Sequence, residues 1–205
     1  MLELQNLEAW RDDRCLYQAL SFTLRPGQVA QILGPNGVGK TTLLKQIAGL
    51  SSFMAGDIRW HDLPVSADRQ RFQRDVLFLG HLAGIKSALT VTENLQILAA
   101  CRGQSLSDDR LATALTRVGL LGYDDMPVAQ LSAGQKRRVA LARLFTEAPL
   151  LWLLDEPFTA IDQAGVSELE GWLADHAEQG GMVLLTTHHR LNMRCPVLPI
   201  ELIPA

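Results

Sequence analysis

The 205-residue sequence predicts an α/β fold: a mixed, mainly parallel sheet with a helical lobe inserted into it. Three observations carry this. The segments LLWLL (150–154) and MVLLTT (182–187) are apolar almost throughout, as strands are when both faces of a parallel sheet are covered. The strand-like run VAQIL (29–33) feeds a glycine-rich loop and then TTLLKQIAGL, whose apolar residues share one helical face and whose late glycine is a stop signal. Between Thr90 and Val118 the pattern becomes helical, first in TVTENLQILAACR and then in SDDRLATALTRV, where Ser107 is a candidate N-cap.

Taken in order, the first 33 residues alternate apolar and polar in short runs (Leu2, Leu4, Leu7; Phe22, Leu24; Val29, Ile32, Leu33). Pro26-Gly27 is the turn between two of them, so this is strand-and-turn grammar. Further strands are expected at Asp57–Trp60, Val76–Leu79, Leu150–Leu154 and Met182–Thr186. No repeat, linker or low-complexity tract interrupts the chain. It therefore reads as one domain over 1–205, with a core at about 1–81 and 146–205 and a helical subdomain at about 82–145.

Composition narrows the function classes. A formal net charge of −3 provides no global basic field for nucleic acid. The apolar run at Leu150–Leu154 is far short of the roughly 20 residues a bilayer span requires. The start, MLELQNLEAWRDD, shows no signal-peptide pattern. Cys15, Cys101 and Cys195 are widely spaced and form no CxxC, which reads as reduced thiols and not as a metal site or disulfide framework. Service to a membrane would then run through a partner.

Residues 34–41, GPNGVGKT, fit G-x-x-x-x-G-K-[ST] in the strand–loop–helix context that gives the motif its meaning. Gly34, Gly37 and Gly39 let the backbone of this loop, with Pro35, Asn36 and Val38 between them, bend so that successive N–H groups turn toward phosphate oxygens. The helix that follows adds the partial positive charge of its N-terminus. Lys40 reaches the β- and γ-phosphates, the Thr41 hydroxyl suits Mg²⁺, and Thr42 offers another hydroxyl. A glycine-rich turn with an incidental lysine is the bland alternative, and the flanking strand and helix argue against it.

Residues 150–162, LLWLLDEPFTAID, end an apolar strand in adjacent carboxylates at the edge of the sheet where ligands collect. Asp155 is placed to hold Mg²⁺, and Glu156 to orient and polarise the water attacking the γ-phosphorus. Two solvated turn acids would be unremarkable alone, but not downstream of a phosphate-binding loop. In LSAGQKRR (131–138), Ser132 caps a long amphipathic helix and Gly134 leaves its N–H near the positive end. That is a second anion site in a chain that already binds phosphates at Lys40. Two such sites make sense if each nucleotide lies between two chains.

These motifs together resemble the ATP-binding subunits of ABC transporters, along essentially the whole chain. The resemblance implies a P-loop NTPase core with an antiparallel β edge and an inserted helical subdomain, ATP and Mg²⁺ as ligands, and a homodimer. It implies that Ser132, Gly134 and Gln135 contact the γ-phosphate of ATP held by the partner. The family pattern is LSGGQ, and Ala133 stands at its first glycine, which is tolerable if that residue needs no positive φ. LLTTH (184–188) resembles the switch-histidine strand and implies a catalytic role for His188 beside Glu156 and Lys40, with His189 as the alternative. Asp162 matches an aspartate that reaches across the dimer. An aromatic residue is expected to stack on adenine; Trp10 falls beside that slot, Tyr17 is the alternative, and burial in the first sheet accounts for either equally well. The family's loop glutamine falls on His81, a departure that makes a contact to Mg²⁺ or water dependent on the charge of an imidazole.

Within the family, GHLAGIKSALTVTENL, LSAGQKRRVALARLF, LLDEPFTAID and TTHH resemble the branch serving bacterial cytochrome c maturation. That branch implies integral membrane partners on the cytosolic face of the bacterial inner membrane, with hydrolysis driving haem export or release of a haem-loaded chaperone. No CxxCH occurs and the five histidines are scattered, so no direct haem binding is expected. Leu82, Ile85 and Leu89 are either an exposed docking patch or part of the lobe's core. The alternatives are another small ABC transporter, or a soluble ABC-type ATPase acting on nucleic acid or ribosomes; the latter lacks a basic stripe here.

Overall fold

The computed structural model describes residues 1–203. Strands β1 (Leu2–Arg11) and β2 (Arg14–Leu24) form a hairpin closed by Asp12-Asp13, with Asp12 at φ +53°. Leu2, Leu4, Leu7 and Ala9 of β1 point into the core, and a register shift beside Asn6 keeps Leu7 and Ala9 on that face. Next come β3 (Val29–Leu33), α1 (Lys40–Ile47), β4 (Ala55–Trp60), β5 (Leu63–Pro64), α2 (Arg69–Asp75) and β6 (Val76–Leu79). Gly56 in β4 is required by a close approach: a Cβ there would stand 2.6 Å from the carbonyls of Gln5 and Asn6. The lobe helices are α3 (Val91–Cys101), α4 (Asp108–Arg117) and α5 (Ala133–Thr146). The chain ends with β7 (Leu151–Asp155), α6 (Gln163–Glu178), β8 (Met182–Thr186) and β9 (Val197–Glu201).

Five strands form a parallel sheet in the order β6-β7-β8-β3-β9. The antiparallel strands make a sheet of their own, β2-β1-β4-β5. Period-2 alternation along β7 and β8 divides the core. Leu151, Leu153 and Leu184 share one cluster with the antiparallel sheet and α1, while Trp152, Leu154, Val183 and Leu185 face α5 and α6. This is why both strands read as apolar runs. A third cluster (Val91, Leu95, Leu111, Leu115, Val139, Ala142 and neighbours) joins the lobe helices, and α5 serves both it and the sheet.

The expected helix starts are realised by side-chain caps. Thr90 and Glu93 form a reciprocal capping box on α3, and Ser107 accepts from the Arg110 N–H at the start of α4. Elements β5, α2, α6 and β9 were not anticipated. The spacing of Val166, Leu169 and Leu173 after the N-cap Asp162 is a helix signal for α6. In β9, Pro199 argues against a strand, but β9 lies at the sheet edge, where a missing N–H is tolerated. Among the described residues no helix is long and apolar enough to cross a membrane.

Candidate functional site

The loop from Gly34 to Gly39 joins the C-terminal end of β3 to α1, and three of its glycines hold positive φ: Gly34 at +145°, Gly37 at +79° and Gly39 at +110°. Any side chain at Gly39 would press on Tyr17, 3.1 Å from the place of its Cβ. Val38 turns into the core and anchors the loop from beneath. Helix α1 starts from Gly39 without a side-chain cap and without an acid in its first turn, so its leading N–H groups face no competing acceptor there. The Lys40 ammonium lies across the loop, donating to the carbonyls of Gly34 (2.7 Å) and Pro35 (3.1 Å).

The carboxylates stand opposite. Parallel pairing of β7 with β8 sets Asp155 beside Thr186, whose hydroxyl donates to Asp155 Oδ1 at 2.7 Å. The Thr41 hydroxyl donates to the same carboxylate, 2.9 Å from Oδ2. Asp155 is buried. Glu156 bends the chain out of β7 at φ +49°, a left-handed conformation that is unfavourable for a residue with a Cβ. Its N–H donates to the carbonyl and hydroxyl of Thr186, each at 3.1 Å. The His188 backbone N–H donates to Glu156 Oε2 (3.3 Å), and the His188 ring Nε2 stands 3.6 Å from Oε1.

Asn36, Gly37, Gly39, Lys40, Thr41, Thr42, His81, Asp155, Glu156 and His188 line one cavity of about 360 Å³, together with Arg11, Leu16 and Thr186. That is large enough to take a polyphosphate and a ribose. Gly34 lines the adjoining depression with Lys40 and His188. The neighbouring His189 turns away, to Glu170 (3.3 Å) and Phe158.

Of the predicted residues, Trp10, Pro35 and Val38 do not line this cavity, and neither do Ser132, Gly134 and Gln135. The last three form the start of α5, where Ser132 and Gln135 cap each other through Oγ (3.2 Å) and Oε1 (2.9 Å). Ala133 is the first helical residue and has negative φ, so the missing glycine costs nothing there. Gly134 is confined by the following loop, since a Cβ would sit 3.0 Å from the Ala160 carbonyl. Asp162 caps α6 through the Gly165 N–H.

Trp10 is a correction. Alternation along β1 puts it on the solvent face, 42 % exposed, with its indole N–H donating to Glu8 and no part in the cavity. Tyr17 is buried, hydrogen-bonded to Gln46, and its phenol is held above its usual pKa by desolvation. At that wall the cavity has Arg11 and Leu16 instead.

Arg11, Leu16 and Thr186 on the cavity wall were missed, as was Arg137 behind it. Arg137, buried on α5, donates to the carbonyls of Gly80 (3.1 Å), Asp155 (3.3 Å), Glu156 (2.8 Å) and Pro157 (3.2 Å). Burial lowers its pKa, with the Asp155 and Glu156 charges opposing. The available signal was an arginine on the helix face that also carries Ala140, Leu141 and Leu144.

The family model described as ABC transporter matches residues 17–159. The chain belongs to the ABC transporter family. It is 52% identical over 198 residues, 97% of each chain, to the cytochrome c biogenesis ATP-binding export protein CcmA of Vibrio parahaemolyticus. The protein of the same description from Vibrio cholerae is 53% identical, with 97% of this chain and 96% of that one covered. Among solved structures, a putative ABC transporter ATP-binding protein from Pyrococcus furiosus superposes with a TM-score of 0.85 at 25% identity, covering 98% and 96% of the two chains. This is an ABC-type ATPase that binds ATP. The Thr41 hydroxyl and Asp155 carboxylate, already in contact, are the hard oxygen donors that suit Mg²⁺. Among the described residues no group of three or more His, Cys, Asp or Glu is arranged to hold a metal ion by itself, so ATP and water would supply other ligands to such an ion.

Proposed function

We propose that two copies of this chain close on two ATP molecules and power a membrane complex in c-type cytochrome biogenesis. In that complex the chain works peripherally at the cytoplasmic face of the bacterial inner membrane, and hydrolysis drives haem export or the release of a haem-loaded chaperone. The observation that carries this reading is the likeness to the two Vibrio export proteins along 97% of the chain.

The chemistry is mostly positioning and charge neutralisation. The N–H groups of residues 34–42 cradle the phosphates, and Lys40 swings from the loop carbonyls to the β- and γ-oxygens. Glu156 orients the attacking water and accepts its proton, while His188, hydrogen-bonded to Glu156 through its backbone, faces the γ-phosphoryl. Mg²⁺ bound at Thr41 and Asp155, beside His81, would neutralise phosphate charge. Ser132, Gly134 and Gln135, being off their own chain's cavity, serve the ATP of the partner. Arg11 offers a planar guanidinium to the adenine in place of an aromatic ring.

The core at about 1–81 and 146–205 and the helical subdomain at about 82–145 move against each other as the pair opens, and the lobe pushes on a membrane subunit. Leu82, 84 % exposed, is the apolar contact of that surface, whereas Ile85 packs into the lobe. No haem is bound by this chain itself, and no nucleic acid is engaged.

The test is a deletion strain complemented with tagged protein. Wild type restores c-type cytochrome assembly and co-purifies with integral membrane subunits from detergent-solubilised membranes; Glu156→Gln restores no assembly. Normal cytochromes in the deletion strain would sink the assignment.

A further inference from the structure

The site contains a link that the reaction as described does not use. Arg137 lies about a turn and a half past Ser132 on α5. Its guanidinium, a rigid fork of five N–H donors, grips three successive carbonyls of the carboxylate loop, those of Asp155, Glu156 and Pro157. It also holds Gly80, the residue before His81. Because it is buried, its loss would take a donor from each of these carbonyls and leave that of Glu156 only the longer bond from the Thr159 N–H (3.3 Å).

Two independent features show that the loop and the helix are locked together. Glu156 sits at φ +49°, a conformation that persists only where surrounding contacts over-determine it, and Arg137 supplies the shortest of its grips on that carbonyl side at 2.8 Å. One turn nearer the helix start, Gly134 packs closely on the same loop: a Cβ there would stand 3.0 Å from the Ala160 carbonyl, and the loop would have to give by a few tenths of an ångström. These contacts give a displacement of residues 155–160 a direct path to the start of α5.

We infer that Arg137 is a positioning residue that couples the two ATP sites of the pair, tying this chain's Glu156 to the Ser132 end that closes on its partner's ATP. This rests on the paired reading above. When Glu156 changes its engagement with water in one site, the strut shifts Ser132 in the other, and hydrolysis becomes cooperative between sites.

The experiment compares wild type with Arg137→Met, which removes all donors, and Arg137→Lys, which keeps the charge but cannot span four acceptors. Steady-state ATPase gives kcat, KM and the Hill coefficient; thermal melting reports folding. Expected for both variants is a kcat loss of about tenfold or more, a KM within about twofold, and a Hill coefficient that drops from above one to one. Lys should recover melting temperature without recovering cooperativity. Should Met fail to fold, Lys decides alone. A wild-type Hill coefficient in the folded variant overturns the coupling, as does a wild type that dimerises yet hydrolyses without cooperativity. A Glu156→Gln protein that stays monomeric in ATP sinks the paired reading itself, and is distinguishable by that.

Discussion

The two helix starts that the proposed pair would turn toward phosphate are built in opposite ways. Helix α1 begins at a left-handed glycine, Gly39, with no side-chain cap. Helix α5 begins at Ser132 with a complete capping box, each partner satisfying one backbone N–H of the other. Orphan N–H groups at a helix start need an acceptor. On the proposed reading the phosphates themselves are that acceptor at α1, reinforced by Lys40, which concentrates affinity there. At α5 two of the donors are already satisfied, so the end is a finished helix that stands without ligand. What it can still give is the Ser132 hydroxyl proton and the N–H groups of Ala133 and Gly134. In the proposed pair this difference would separate labour: α1 binds, α5 closes.

Four substitutions test that division. The largest effect is expected from Glu156→Gln, which keeps the shape of the carboxylate but not its basicity. Turnover should fall by about 10²–10⁴, the usual worth of a general base, while ATP binding persists. With hydrolysis stopped, both helix ends stay closed on the same nucleotide, so size-exclusion chromatography in ATP should show a stable dimer. Undiminished turnover would remove Glu156 from its role. Next is Lys40→Ala. Charge-assisted hydrogen bonds to phosphate carry about 1.5–3 kcal/mol, so affinity for ATP by calorimetry should drop about a hundredfold. If affinity survived, α1 would not be the binding end.

Ser132→Ala comes third and acts at the other helix. It removes the cap, costing about 1 kcal/mol of stability, and removes the hydroxyl that the partner's ATP would meet. Turnover should fall about tenfold, with ATP affinity of the isolated chain unchanged, because α1 is untouched. Equal losses in affinity and turnover would erase the distinction between the two ends.

Most of this site was legible because phosphate chemistry demands rare residues in a fixed order. Gly34, Gly37 and Gly39 are needed for positive φ, and Lys40-Thr41 and Asp155-Glu156 each follow an apolar strand. The caps at Thr90, Ser107 and Ser132 were readable for the same reason, since each is a local device. What escaped was long-range. Whether Trp10 or Arg11 faces the cavity depends on the register shifts along β1, which no single-strand pattern displays. Arg137 gave no local sign of its partners, because its four carbonyl acceptors come from segments far away in sequence. Helix α6 had a readable cap and spacing, but its interior carries Gly165 and Gly171, which weaken a propensity-based reading.

The smallest effect is expected at His81, which stands where the family resemblance implies a glutamine. His81 is exposed and sits on the cavity wall, immediately after the carbonyl of Gly80 that Arg137 holds. Arg137 thus holds the backbone immediately before this residue. A neutral glutamine amide placed there offers water or a cation the same kind of contact as a neutral imidazole. The backbone hold makes the side chain replaceable, so His81→Gln should keep kcat within about threefold, less than 1 kcal/mol of barrier. It should do so while leaving the dimer trapped by Glu156→Gln intact in the double variant. A collapse of turnover in His81→Gln, with ATP affinity retained, would mean that the imidazole takes part in the chemistry directly. The closing end would then involve a third element beyond α1 and α5.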